Sequence, residues 1–246
     1  MSVREPVHLE ARRGDVAEIA LVAGDPGRVE RLSKLLREPK LVSSSRGFPV
    51  YTGYVGDKRV TIAAHGIGGP SALIVFEELS ALGARVIVRL GTCGSLHPEA
   101  SIGDVVVASG AGSLCLASGL GLYMKFKPIC PPASPHPELA WRLYRSLSEK
   151  LKDRKVHLAP VFTSDSFYAE TPGLAEELAS YGFKVVEMEV APLLALSWLR
   201  GFKAAAVLIV SDSLVGGVSR IEKGELERAE VEVGAEVLRV LVETGV

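Results

Sequence analysis

The strongest constraint on this chain is a unit it repeats: a short, continuously apolar run, a glycine-containing turn, then an amphipathic segment. AEIALVAGDPGRVERLSKLL reads as strand, turn at Gly24–Gly27, then helix. RVTIAAHGIGGPSALIVFEELSALGA repeats the pattern, with Pro70 suited to the first turn of its helix. RVIVRLGTCGSL reads as a strand entering another glycine turn, and GDVVVAS, KVHLAPVFTS, KVVEM and KAAAVLIVSD as further strands. The spacing of Leu139, Leu143, Leu147 and Leu151 makes PHPELAWRLYRSLSEKLK a helix. From about Glu222 to Thr244 a closing helix carries Leu226, Val233, Val237, Val240 and Leu241 on one side. Strands that are apolar on both faces need cover on both faces. The expectation is an α/β fold with a mixed, mainly parallel central sheet flanked by helices. The segments 110–121 and 130–137 read as loops. No linker or internal repeat interrupts residues 1–246, so one domain is expected.

Composition excludes several classes of function. A formal charge of -1 gives no global attraction to nucleic acid or an anionic membrane. No uncharged apolar run is long enough to span a bilayer, and the first residues lack the apolar core of a signal peptide, so a cytoplasmic protein is expected. Cys93, Cys115 and Cys130 form no CxxC pair, and an odd count favours free thiols. The five histidines make no HExxH or HxH arrangement, so no metal is expected. The chain contains no Asn and no Gln. Depletion of thermolabile amides points to a thermophilic source. It also means that any nucleobase must be read by carboxylates, hydroxyls, arginines or backbone.

The candidate chemistry gathers where apolar strands end. Turns follow them at GDPGR (24–28), HGIGGPS (65–71), GTCGS (91–95) and SDSLVGG (211–217), none with GxGxxG or GxxxxGK[ST] spacing. Arg89 places a permanent charge inside VIVRLG, which suits either a structural ion pair or anion recognition completed by Thr92 and backbone N–H groups. Arg28 and Arg46, taken singly, suit solvated surface positions. Asp212 ends an apolar strand, where either a catalytic acid or a helix cap belongs. Glu187 and Glu189 flank Met188 in an apolar stretch, and buried carboxylates need polar partners.

Taken together, GDPGR, RGF at 46–48, HGIGGPS, RLGTCG, SDSFY, VEME and IVSD resemble, in order and spacing, the hexameric purine nucleoside and uridine phosphorylase family. The resemblance runs over nearly the whole chain and is nearest to archaeal-type members acting on purine nucleosides and 5′-methylthioadenosine. It implies the nucleoside phosphorylase fold and a cytoplasmic transferase of purine salvage, with inorganic phosphate as co-substrate and no cofactor. It also implies a homohexamer, built as a trimer of dimers, whose sites are shared between subunits. By the same resemblance Gly24, Arg28, Arg89 and Thr92 hold phosphate, with Arg46 entering from a neighbour. Met188 and Glu189 bind the ribose, Glu189 through the sugar hydroxyls. Phe167 lies against base and sugar, and His8 reaches the 5′ position from the neighbour. Asp212 is the acid facing the purine, assisted by Arg228 or, on an alternative alignment, Arg220. Glu187 sits beside this nucleoside-binding set, but strand alternation turns it to the opposite face, which suits a structural part.

The implied reaction is phosphate attack on the sugar carbon with departure of a protonated base, which requires Asp212 to hold a proton near neutral pH. SDSFYAETPGLAEEL lacks the Gln and Arg with which uridine-specific relatives read uracil, so a purine is favoured over the uridine alternative. A nucleosidase would leave the three arginines without an anion. A catalytically silent nucleoside-binding protein would have no use for both Glu189 and Asp212.

Overall fold

The computed structural model describes residues 6–114, 118–125, 130–215 and 219–243. Strands β1 (Ile19–Ala23), β2 (Arg37–Ser43), β3 (Val50–Val55), β4 (Lys58–Ala64) and β5 (Val86–Ser95) fill the first part of the chain, with helices α1 (Pro26–Ser33) and α2 (Gly69–Leu82) between them. After β6 (Val105–Gly112) come α3 (Pro137–Lys150), β7 (Val156–Thr163), α4 (Pro172–Ser180), β8 (Val185–Glu187) and α5 (Val190–Arg200). The chain then forms β9 (Lys203–Ser213), the short β10 (Ser219–Arg220) and α6 (Lys223–Glu243).

The strands join in the order β10-β9-β6-β7-β8-β5-β1-β4-β3-β2, and β9 also pairs with β5. That extra pairing closes β5, β9, β6, β7 and β8 into a ring, from which β1, β4, β3 and β2 extend. The neighbours β4, β1, β5 and β9 run parallel, as do β6, β7 and β8, while β5–β8, β6–β9 and the β2–β3–β4 pairings are antiparallel. Parallel pairing thus dominates where the site forms, and the remainder makes the sheet mixed.

Helices cover both faces. Phe76 and Leu79 of α2 meet Leu193 and Leu196 of α5 on one side; Leu32 of α1, Leu143 and Leu147 of α3 and Val237 of α6 pack on the other. Fully burying a side chain of this size contributes about 1.5–3 kcal/mol, so strands apolar on both faces fit this two-sided cover. The first turn of α1 is fixed by Pro26 and by Asp25, whose carboxylate accepts the N–H groups of Gly27 and Arg28 at 3.0 and 2.8 Å.

Four expectations change. GTCGS is no turn, because β5 continues through Gly91 and Gly94 to Ser95, with a shift of register against β9 between Cys93 and Gly94. Residues 110–112 of the expected loop belong to β6, and β9 continues to Ser213 before the glycines of SDSLVGG, which lie outside the described residues. Cys93 is a free, buried thiol, but Cys130 is disulfide-bonded; an odd total accommodates a bridge and a free thiol together. Cys115 lies outside the described residues.

Candidate active site

Strand β5 is the spine of the site. Its Arg89 is 4% exposed, and the guanidinium lies forward along the strand over Gly91. A Cβ at Gly91 would lie 1.5 Å from Arg89 Nη1, which is why a glycine occupies a strand interior here. Arg89 Nη2 donates to the Glu189 carboxylate and lies 3.5 Å from Glu187 Oε2. Its Nε and Nη1 have no hydrogen-bond partner among the described residues.

One guanidinium therefore serves two buried carboxylates. Burial alone would lower the Arg89 pKa, but Glu189 and Glu187 together raise it. Burial pushes both carboxyls up and Arg89 pulls both down. The outcome is split: Glu187 ends above the ordinary carboxylate range and Glu189 below it. Glu189 also accepts the Gly68 N–H at 2.6 Å. Glu187 accepts the Thr163 hydroxyl at 2.6 Å and the backbone N–H groups of Glu189 and Val190, so it caps the start of α5. The expectation that alternation turns Glu187 away from Glu189 is thus corrected. Residues two apart share a face of an extended chain, and both carboxylates approach Arg89 where β8 passes into α5.

Arg28 enters from α1, 6% exposed. Its Nε donates to Glu230 Oε1 at 2.7 Å and its Nη1 to the Leu90 carbonyl at 3.2 Å. Burial lowers its pKa against the opposing pull of Glu230. Arg31 also grips Glu230, through Nη2 at 2.6 Å and Nε at 3.1 Å. Beside Arg28, a Cβ at Gly24 would meet the Gly66 carbonyl oxygen at 2.9 Å, so the two turns approach as closely as backbone permits. His65 is fully buried, its pKa driven down to about 3 by burial and by Arg89, and a neutral ring lets Nδ1–H donate to the Gly66 carbonyl at 2.9 Å.

Asp212, near the end of β9, marks the other end of the site. A Cβ at Gly94 would lie 3.0 Å from Asp212 Oδ2, and the Ser211 hydroxyl donates to Asp212 Oδ1 at 2.7 Å. Leu90, which receives Arg28, and Gly94, which meets Asp212, are four residues apart on one strand, a span of roughly 13 Å. Phe167, in a 3-10 turn at Phe167–Ala169, and Met188 lie along the same cavity. Its volume is about 630 Å³.

Of the residues expected from sequence, Gly24, Arg28, Arg89, Thr92, Phe167, Glu187, Met188, Glu189 and Asp212 line this cavity. His8, Arg46 and Arg228 do not. His8 is tied to Glu78, Nδ1 to Oε1 at 2.6 Å, and Glu78 also accepts the N–H groups of Val7, His8 and Leu9. Arg46 is exposed, with a left-handed backbone at φ 55°. Arg228 is exposed on α6, while Arg220 stands opposite Asp212 in the β9–β10 pair, its guanidinium 5.8 Å from the Phe167 ring centroid. Among the described residues no group of three or more His, Cys, Asp or Glu could hold a metal ion.

A sequence profile of the phosphorylase superfamily matches residues 18–243, which carry every cavity residue named above. The chain belongs to that superfamily. Among its relatives, a guanosine phosphorylase of Halorubrum lacusprofundi is 34% identical over 210 residues, covering 85% of this chain and 84% of that protein. A DeoD-type purine nucleoside phosphorylase of Caldanaerobacter subterraneus is 33% identical over 216 residues, covering 86% and 89%. The fold matches the crystal structure of purine nucleoside phosphorylase from Toxoplasma gondii in complex with immucillin-H, with a TM-score of 0.83 and 26% identity over 99% of this chain and 98% of that one.

Two residues of this phosphorylase-superfamily site escaped the sequence reading. Glu230 left a trace: it shares the buried stripe of α6 with Val233 and Val237, where an unpaired carboxylate has no place. Glu170 left none, since it follows SDSFY in an otherwise polar stretch. It lines the cavity half-buried, and burial followed by the charges of Asp212 and Glu187 raises its pKa to about 7 against the opposing Ser164 hydroxyl.

Proposed function

We propose that this chain is a purine nucleoside phosphorylase, a pentosyltransferase that exchanges the base of a purine nucleoside for inorganic phosphate. One observation carries the reading. A single cavity is lined by two buried arginines and a carboxyl group, Arg28 meeting β5 at Leu90, Arg89 lying over Gly91, and Asp212 meeting the same strand at Gly94. Glu189 is bound from behind by Arg89 and the Gly68 N–H. Phosphate sits against Arg28, Arg89 and Thr92, with the partnerless Nε and Nη1 of Arg89 as donors. The remaining lone pairs of Glu189 take the sugar hydroxyls, and Met188 and Phe167 pack on sugar and base.

The chemistry follows from those placements. A phosphate oxygen forms the new bond to the anomeric carbon as the bond to the base breaks, and the leaving nitrogen keeps the electron pair. Positive charge builds on the sugar in between, and the phosphate anion and the Glu189 carboxylate stabilise it. Asp212 donates a proton to the departing purine, a contribution of about 10²–10⁴ in rate. The products are free base and the sugar 1-phosphate.

The assembly we propose is an oligomer that shares sites, with His8 and Arg46 completing a neighbour's cavity. Both lie outside their own cavity, and Ile74 of α2 and Trp198 and Leu199 of α5 expose apolar surface on helices that pack together. The deciding experiment is base release from guanosine, inosine, adenosine, 5′-methylthioadenosine and uridine, each with and without phosphate. Phosphate-dependent release from the purines is expected. Release that ignores phosphate would make the chain a nucleosidase instead, and release from uridine alone would move the base assignment.

A further inference from the structure

A second hollow lies at the opposite end of β5 from the nucleoside cavity, and arginines dominate it. Its volume is about 840 Å³, and Arg12, Arg13, Arg85 and Arg200 stand in its wall. All four are carried on fixed backbone. Leu9 and Ala11, just before the first pair, are buried. The Arg12 N–H is donated to Asp15 Oδ2 at 2.8 Å, and Arg59 Nη2 holds the Gly14 carbonyl at 2.8 Å. Arg85 precedes β5, its N–H donated to the Glu18 carbonyl and its carbonyl accepting the Lys203 N–H, both at 2.8 Å. Arg200 is the last residue of α5.

Only one of these four charges is balanced among the described residues. Arg200 donates to Glu77 through Nε and Nη2 at 2.8 and 2.7 Å. Arg12, Arg13 and Arg85 are exposed and have no carboxylate partner among the described residues, whereas Arg142 and Arg154 elsewhere reach Glu138 and Glu232. The nearby carboxylates are turned to other work. Asp15 closes onto the Arg12 backbone, and Glu18 lines a separate hollow with Lys58 and Arg59. Three unbalanced guanidinium groups around one concavity focus positive potential into it, and each presents the planar fork that fits a phosphate. We propose that this hollow is a second anion site and that its ligand is a short chain of linked phosphates. A single phosphate is far smaller than the space between the arginines, while linked phosphates reach several of them at once. Pro6, Ala11 and Leu82 supply the apolar part of the wall and no aromatic residue stands in it, so a nucleobase finds no face to stack on. Recognition therefore rests on the phosphates alone. The site is separate from the phosphate position beside Arg28 and Arg89. Helix α2 runs between the two, with Ser71 at the nucleoside cavity and Ser80–Leu82 at this one, and its 14 residues span about 21 Å. The proposal does not depend on the phosphorylase reading.

The test is calorimetric titration of the full chain with inorganic tripolyphosphate, in excess orthophosphate so that the nucleoside cavity's own anion position is filled. The wild type should bind tripolyphosphate under these conditions, and ATP should bind no more tightly. Arg13→Ser and Arg85→Ser should each weaken binding by about tenfold or more, since each removes hydrogen bonds to a charged group. Arg13→Lys and Arg85→Lys keep the charge but not the fork and should fall between. Lys40→Ser, which removes an exposed cation from β2, is the control and should change nothing. Both arginines are exposed and lie outside the nucleoside cavity, so kcat/KM for phosphorolysis should stay at the wild-type value and report an intact fold. Absence of binding to the wild type overturns the proposal. So does tripolyphosphate affinity that survives both Arg→Ser substitutions, which would place the ligand in the nucleoside cavity. ATP binding tenfold or more tighter than tripolyphosphate would show that a base is read, and would overturn recognition by phosphates alone.

Discussion

Replacing Glu230 by Gln tests whether the anion end of the cavity depends on a helix that never touches substrate. Glu230 lies on α6, 1% exposed, and receives Arg28 Nε at 2.7 Å and Arg31 Nη2 at 2.6 Å. Arg28 is itself 6% exposed, so the variant strands a buried positive charge. Removing one member of a buried pair costs about 3–5 kcal/mol. For a chain of this length each kcal/mol shifts Tm by about 2–4 °C, so a fall of roughly 6–20 °C is expected. Phosphate should reverse part of it, because an anion bound only to the folded state adds about 2.7 kcal/mol at a hundredfold excess over its Kd. The assay is thermal unfolding of wild type and variant across a phosphate series, with KM for phosphate measured alongside. Glu227→Gln is the control: Glu227 reaches Arg31 at 3.5 Å from a half-buried position open to solvent and should move stability by no more than about 0.5 kcal/mol. A Glu230→Gln protein melting within about 2 °C of wild type, with an unaltered KM for phosphate, would refute the argument that Glu230 holds Arg28 in place.

Arg89→Met should leave Glu187 and Glu189 buried without their shared cation and lower kcat/KM by more than about a hundredfold, in steady-state assays that vary nucleoside and phosphate separately. Asp212→Asn should reduce kcat on purine nucleosides by about 10²–10⁴ while nucleoside binding, followed by calorimetry, changes far less. Gly91→Ala should force the Arg89 guanidinium off the strand, since the new Cβ would lie 1.5 Å from Nη1, and both Tm and phosphate affinity should fall together. The Glu170 carboxyl has a folded pKa of about 7 against an ordinary 4.5, so between those values the native state holds a proton that the unfolded chain releases. Folding stability from this group therefore declines as pH rises through that window, and the Tm of Glu170→Gln relative to wild type should be higher at pH 8 than at pH 5.

The fold was legible wherever apolar runs exceeded the length of a turn. IALVA, VTIAA and AAVLIV need cover on both faces, and α1, α2, α5 and α6 provide it. Less of β2 and β3 could be read: REPKLVS is mostly exposed and carries no alternation, so its strand state comes from pairing with β3 rather than from its own residues. Gly91 and Gly94 misled for a related reason. Their usual part in turns concealed a steric one, making room for Arg89 and for Asp212. Within the site, the charges embedded in apolar sequence, Arg89 and Glu189, announced themselves. Glu170 did not, because its partial burial is produced by strands distant in sequence. Glu187 was misjudged because alternation was misapplied: residues two apart share a face of a strand, so Glu187 belongs on the side of Glu189 and Met188 on the other.

The closure of the strand ring also sets when the cavity can exist. β5 must pair with β9, more than a hundred residues later, and Arg28 must meet Glu230 across a separation of 202 residues. Such distant closures carry the loop entropy of nearly the whole polypeptide and slow the search for the native topology. During synthesis, a nascent chain that has not yet released α6 has its arginines but no carboxylate to steady Arg28. A ligand that binds only the finished cavity cannot assist the earlier stages of folding. It acts as a lock on the last one, and its presence should lengthen the lifetime of the completed fold far more than it hastens its formation.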